Sequence, residues 1–195
     1  MLNKFSAVIL AAGYSGRMGA PKWSLMFDEN STFAEKIVDE FALAGAEKIV
    51  LVLNESGKEQ FEKKGCQMPE NFQIALNDNP DLGRFYSLQK GLKLCNPELP
   101  VCFTNIDNPF INAELVKSLL SYIDSADYIT PSYHGKGGHP VCISTKVFHS
   151  VIESDQYETN LKKFLLEFKM EKLEVEDNKI LLNINTQTDY QKVFN

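Results

Sequence analysis

Apolar positions along the chain alternate between short unbroken runs and runs spaced three or four residues apart. Residues 5–12 form an unbroken run, which reads as a buried strand. Over 32–44, Phe33, Ile37, Phe41 and Leu43 fall near helical spacing, and Gly45 marks a stop. Lys-Ile-Val-Leu-Val-Leu at 48–53 is a second buried strand, 58–64 a polar helix ending at Gly65, and 72–76 a third strand. Phe85, Leu88 and Leu92 predict a helix over 82–94, followed by a fourth strand at 101–106 and a helix at 113–123. This alternation predicts an α/β fold, a three-layer α/β/α sandwich whose mostly parallel sheet has helices on both faces.

The last third is less regular. Strands are expected at 128–132 and 141–144 around a glycine-rich connection, then a helix at 160–168, two short strands and a final helix near 186–194. No repeat, low-complexity tract or linker interrupts the pattern, so residues 1–195 read as one domain.

Composition narrows the function. A 44% hydrophobic and 24% charged chain is ordinary for a globular protein, and no apolar run approaches the roughly 18 residues of a membrane helix. Lys4 precedes a short apolar stretch, but about eight residues is the short end of a secretory signal and suits a strand equally. A net charge of −6 argues against nucleic acid as partner. Cys66, Cys95, Cys102 and Cys142 form no Cys-x-x-Cys pair. Cys102 and Cys142 are expected as core thiols, without metal or disulfide, which suits a cytoplasmic protein.

The most specific segment is 5–22. The first strand breaks into a loop with Gly13, Gly16 and Gly19, into which Arg17 and Lys22 are set. Glycines let backbone N–H groups turn around an anion, and the two cations add charge where phosphate oxygens would sit. Glycine spacing is Gly-x-x-Gly-x-x-Gly, unlike the dinucleotide fingerprint, and the acid expected to hold a ribose has no good candidate, since Glu55, after the next strand, lies too far along. No Gly-Lys-Ser or Gly-Lys-Thr occurs, so this is not a P-loop.

Ligands of open α/β sheets bind beyond the strands' carboxyl ends, so the segments there matter most. After the third strand, Gly83, Arg84 and Ser87 lie where a helix begins and could serve an anion or base, or simply cap the helix. After the fourth, Asp107 could hold Mg²⁺, although Asp-Asn-Pro is also turn chemistry. In Gly135-Lys136-Gly137-Gly138-His139-Pro140-Val141, His139 contacts a ligand or braces the loop.

Leu10, Ala11, Ala12, Gly13, Ser15, Arg17, Met18, Gly19, Pro21 and Lys22 together resemble the nucleotidyltransferase pattern Leu-Ala-Ala-Gly-x-Ser-x-Arg-Met-Gly-x-Pro-Lys. The resemblance is to the MobA/MocA-like subgroup of molybdenum cofactor cytidylyl- and guanylyltransferases. It implies a Rossmann-like sheet of the nucleotide-diphospho-sugar transferase type. It also implies a triphosphate held by Leu10, Ala11, Ala12, Gly13, Ser15, Gly16, Arg17 and Lys22, with Asn77, Gly83 and Ser87 bordering the nucleotide. Asp107 matches the family's metal-binding Asp-x-Pro aspartate, and Gly138 and His139 match the segment leading to the acceptor. Asn183-Ile184-Asn185-Thr186 resembles the family's Asn-x-Asn-Thr ending, which makes Asn185 the second metal contact. Gln187 stands where the pattern has proline, and amides there offer the metal less charge than carboxylates.

The activity implied is Mg²⁺-dependent transfer of a nucleotide to a phosphorylated acceptor with release of pyrophosphate, with Arg17, Lys22 and Asp107 catalytic. Leu-Ala-Ala-Gly and Gly-His-Pro-Val tilt towards CTP and molybdopterin, and the Asn-x-Asn-Thr ending points the other way. The alternatives are a sugar- or polyol-phosphate cytidylyltransferase and a non-catalytic nucleotide-binding protein. A monomer or weak homodimer with no membrane partner is expected.

Overall fold

The computed structural model describes residues 4–16 and 18–194. Its strands are β1 (Ser6–Leu10), β2 (Lys48–Leu53), β3 (Phe72–Leu76), β4 (Val101–Asn105), β5 (Tyr128–Tyr133), β6 (Lys136–Gly137), β7 (Val141–Ile143) and β8 (Met170–Glu174). Its helices are α1 (Phe33–Ala44), α2 (Glu55–Lys64), α3 (Gly83–Leu92), α4 (Ala113–Ser121), α5 (Thr145–Glu153), α6 (Leu161–Leu165) and α7 (Gln187–Phe194).

The eight strands form one sheet in the order β3-β2-β1-β4-β7-β5-β6, with β8 against β5. Pairs β1–β2, β1–β4, β2–β3 and β5–β8 are parallel. β7 runs antiparallel between β4 and β5, and β6 antiparallel to β5. Side chains alternate along a strand, so β1 feeds two cores. Ala7 and Ile9 pack with α1, α2 and α4 on one face, and Val8 and Leu10 with α3, α5 and α6 on the other. The three expected layers are therefore present, over a sheet that is mostly parallel but mixed.

Helix ends follow local chemistry. Thr32 and Glu35 close a reciprocal capping box at the start of α1, and Gly45 ends it with φ 92°. α2 starts earlier than its polar pattern suggested, because the Asn54 side chain accepts from the Gly57 N–H and caps the helix. The last third differs from the sequence reading in two places. α5 occupies a stretch to which no element was assigned, burying Val147, Phe148 and Val151 on one face. One strand, β8, and a 3₁₀ turn at Asn178–Leu181 stand where two short strands were expected.

The cysteine reading also fails. Cys102 of β4 and Cys142 of β7 are register partners across an antiparallel pair and are joined as a disulfide. Their proximity is created by the sheet, which spacing along the chain does not show. A disulfide at this position removes the basis for expecting a reducing compartment. Among the described residues, no helix is long and apolar enough to cross a membrane.

Candidate active site

From β1 the chain builds outward through β2 and β3, then returns to place β4 on the other side of β1. Connections leave in opposite directions at that switch point, which opens a crevice beyond the carboxyl ends of β1 and β4. A cleft of about 520 Å³ lies there. It is lined by Leu10, Ala11, Ala12, Gly13, Ser15 and Gly16 from the first loop, and by Lys22, Ser87, Asp107, His139 and Asn185 from elsewhere in the chain. Arg17, expected on the phosphates, lies outside the described residues.

The loop is shaped by a few contacts. Ser15 takes φ 51° and Gly19 φ 71°, a left-handed conformation that glycine adopts without penalty. Met18 N–H donates to the Ser15 carbonyl at 2.9 Å, and Lys22 N–H to Ser15 Oγ at 3.2 Å. Trp23, 4% exposed, packs edge-on against Phe61 of α2 with centroids 5.0 Å apart. Burying that indole anchors the end of the loop and leaves its neighbour Lys22 to reach into the cleft.

Lys22 Nζ donates to Asn185 Oδ1 at 2.8 Å and to Asp107 Oδ2 at 3.3 Å. Three residues separated by as many as 163 positions thus meet at one point. The second carboxylate oxygen, Asp107 Oδ1, is buried with no hydrogen-bond partner. Backbone and amide contacts bring the chain's last segment to this place. Ile184 N–H donates to the Asp107 carbonyl at 2.7 Å. Buried Asn108 donates through Nδ2 to the carbonyls of Ile180 and Leu182, at 3.0 and 2.7 Å. Asp189 then accepts from the N–H groups of Asn185 and Thr186, while its own N–H donates to Thr186 Oγ1. This reciprocal cap starts α7 without the proline of the family pattern.

Of the residues expected around the nucleotide, Ser87 lines the cleft, whereas Asn77 and Gly83 stand behind it. Asn77 Nδ2 donates to Ser87 Oγ at 2.9 Å, and Ser87 Oγ donates to the Gly83 carbonyl at 3.0 Å, so the pair braces the first turn of α3. Gly138 also has a packing reason. A Cβ there would come within 2.5 Å of the Ile180 carbonyl oxygen, so glycine lets the loop close against that segment.

His139 is partly exposed, yet its Nδ1 is buried and without a partner. Burial pushes its pKa down to about 4, Asp107 pulls it up and Arg84 pushes it further down. The ring is neutral near pH 7. Asn105 Nδ2 lies 3.0 Å from Nε2, and an amide nitrogen can only donate, so Nε2 accepts and the ring's proton sits on Nδ1. His139 is thus tied to the end of β4 through Asn105, and its Nδ1 stays buried.

Sequence reasoning left out Asn105 and Ile106, which line the cleft beside Arg84 and Asn183. The signal for Asn105 was its position as the last residue of β4, at the strand end where ligands bind. Among the described residues, no group of three or more His, Cys, Asp or Glu could hold a metal ion. Any divalent cation here would have only the Asp107 carboxylate and amide oxygens from the protein. Mg²⁺ fits such a set, because it takes one or two carboxylates and completes its shell with water and substrate phosphates.

Residues 7–173 match the family described as the MobA-like NTP transferase domain. The chain belongs to this family. It is a nucleotidyltransferase. The MobA-like domain is 27% identical over 192 residues to the molybdenum cofactor cytidylyltransferase of Escherichia coli (strain K12), covering 97% of this chain and 95% of that protein. It is 28% identical over 207 residues to a probable molybdenum cofactor guanylyltransferase of Natranaerobius thermophilus, covering 98% and 96%. Among solved structures, Rv0371c of Mycobacterium tuberculosis H37Rv superposes with a TM-score of 0.80 at 20% identity, covering 97% of each chain.

Proposed function

We propose that this MobA-like domain transfers a cytidylyl group from CTP to a phosphorylated acceptor of the molybdopterin type, with Mg²⁺ as cofactor. The observation that carries the reading is the meeting of Lys22, Asp107 and Asn185 at the switch point, with Asp107 Oδ1 left unpartnered. The acceptor phosphate oxygen attacks the α-phosphorus, the bond to the bridging oxygen breaks, and pyrophosphate leaves with that electron pair. An ionised phosphate is already a nucleophile, so no general base is required.

When bound, Mg²⁺ neutralises charge on the reacting phosphates, and Asp107 and Asn185 are the residues that would hold it. Asn185 is preferred over Asn183 because it shares Lys22 with Asp107, whereas Asn183 Nδ2 donates locally to the Leu181 carbonyl. Lys22 keeps the two oxygens together in the absence of ligand and turns its ammonium to the departing pyrophosphate when the triphosphate enters. Arg17, in the same loop, shares that task, and Leu10 to Gly16 with Ser87 surround the nucleotide, supported by Asn77 and Gly83. His139 and Gly138 border the acceptor. Support for CTP comes from Ala12 in the opening motif and from the cytidylyltransferase relative. Support for a divalent metal comes from the oxygen donors, and a manganese complex is known for Rv0371c, a neighbour in fold.

Pyrophosphate release with CTP, Mg²⁺ and molybdopterin tests the reading against sugar and polyol phosphates. Asp107→Ala and Lys22→Ala are each expected to lower turnover about a hundredfold or more while leaving the fold intact. Near wild-type rates in both would refute the assignment.

A further inference from the structure

Among the described residues lining the cleft, Asp107 is the sole carboxylate, and Lys22 is its ion-pair partner. The two side chains are 14% and 21% exposed, so solvent screens their contact only in part. Lys22 Nζ stands between Asn185 Oδ1, at 2.8 Å, and Asp107 Oδ2, at 3.3 Å. These are the same two residues that would hold a divalent cation, and Mg²⁺ takes carboxylate oxygens at about 2.0–2.1 Å. Ammonium and cation therefore compete. With both in place, a dication and an ammonium would share a single carboxylate.

The main chain at both donors is fixed without Lys22. Ile184 N–H holds the Asp107 carbonyl at 2.7 Å, and the Asp189 carboxylate holds the Asn185 N–H at 3.1 Å. Taking the ammonium away thus leaves the donors where they are. A displaced ammonium, by contrast, finds no other carboxylate among the described residues of the cleft. Its own backbone N–H is tied to Ser15 Oγ at 3.2 Å, and the next residue, Trp23, is buried. The side chain therefore swings from a fixed base beside the glycine loop. What can draw it off Asp107 is an anion brought into that loop.

We infer that Lys22 is a plug: its ammonium closes the divalent-cation position in the nucleotide-free protein, and the cation is admitted only with the triphosphate, as their complex. The inference rests on the nucleotidyltransferase reading and deepens it, by setting the order in which ligands enter. Free cation is kept out, and metal and triphosphate are positively coupled through one side chain. Such coupling is reciprocal, so the metal strengthens triphosphate binding by the same factor.

Titration of the full chain with Mn²⁺ alone, read from the paramagnetic resonance signal of the free ion, tests the closure. Lys22→Met is expected to bind Mn²⁺ at least about tenfold more tightly than wild type. Arg84→Gln, which removes a different cation lining the same cleft, should change that affinity less than about threefold. Lys22→Met/Asp107→Asn should lose the gain. For the preformed Mn²⁺–CTP complex the sign reverses, and Lys22→Met should bind it about tenfold more weakly, since its phosphates lose a cation. Unliganded melting midpoints near wild type show that the variants fold, and Lys22→Ala replaces Lys22→Met if that one does not. A Mn²⁺ affinity of Lys22→Met within about twofold of wild type, or weaker, would overturn the inference. So would an equal gain in Arg84→Gln, or a gain that survives Asp107→Asn and marks an adventitious ion only. A Mn²⁺–CTP complex that binds Lys22→Met as tightly as wild type would overturn it too. If Lys22→Met gains free Mn²⁺ as expected but the complex binds neither protein, the closure stands and the cytidylyl transfer reading fails.

Discussion

His139 carries a measurable consequence of its surroundings. Its pKa is pushed down to about 4 by burial, against an ordinary value of 6.5. The unfolded chain therefore binds this proton more readily than the folded one between those values. Stability from the neutral ring is fully present above about pH 6.5 and is lost as pH falls towards 4. Going from pH 7 to pH 5 should cost roughly 2 kcal/mol through this residue alone. His139→Gln should remove that part of the slope, which urea unfolding of both proteins at the two pH values would measure. Equal slopes would mean that the imidazole is free to charge in the folded state. At this scale the sequence was informative about residue type but not about pairing. Lys22, Asp107 and Asn185 could each be picked from a motif, whereas their contact depends on Asn108, a buried amide that reads in sequence as ordinary turn chemistry.

At the scale of elements, strands and capped helices of the first half were legible because their apolar runs and glycine stops agree. β2 and β3 match the expected bounds, and Gly45 and Gly65 end α1 and α2 in left-handed conformation. α5 went unread although Val147, Phe148 and Val151 have helical spacing, since it has no acidic first turn and its Ser144 cap makes no side-chain bond. α3 shows what spacing cannot show. Gly91 is its last but one residue, at a position where alanine is the better helix former, yet a Cβ there would stand 2.5 Å from Val8 Cγ1 and 3.0 Å from Val52 Cγ2. Glycine lets the helix sit directly on β1 and β2. Gly91→Ala should therefore destabilise by about 1–3 kcal/mol despite alanine's better helix propensity. It should also loosen Ser87 at the cleft, which lies on the same helix. A midpoint of thermal unfolding at or above wild type would show that the interface has room.

For the whole molecule, the parallel half of the sheet made of β1 to β4 leads into the first loop and Asp107, and the half made of β5 to β8 carries His139 on the connection into β7. The Cys102–Cys142 disulfide spans the β4–β7 border between them and closes a loop of sequence separation 40. Chain-entropy reasoning gives about 4 kcal/mol for a link of that span. Denaturation with and without dithiothreitol, compared with the Cys102→Ala/Cys142→Ala variant, should show a loss of that order. No difference would mean that packing alone joins the halves. Topology of this kind was only partly legible: alternating strands and helices imply a parallel sheet, but the reversed β7 depends on a short strand that could pair either way.

The most direct measurement is the melting midpoint of the purified protein against CTP, GTP, ATP and UTP, each with and without Mg²⁺, for wild type and Asp107→Ala. A ligand that binds only the folded state raises the midpoint by mass action. A rise with CTP that requires Mg²⁺ and is lost in Asp107→Ala is the predicted result. No shift with any triphosphate, or an equal shift in Asp107→Ala, would contradict a metal-assisted nucleotide site at the β1–β4 switch point.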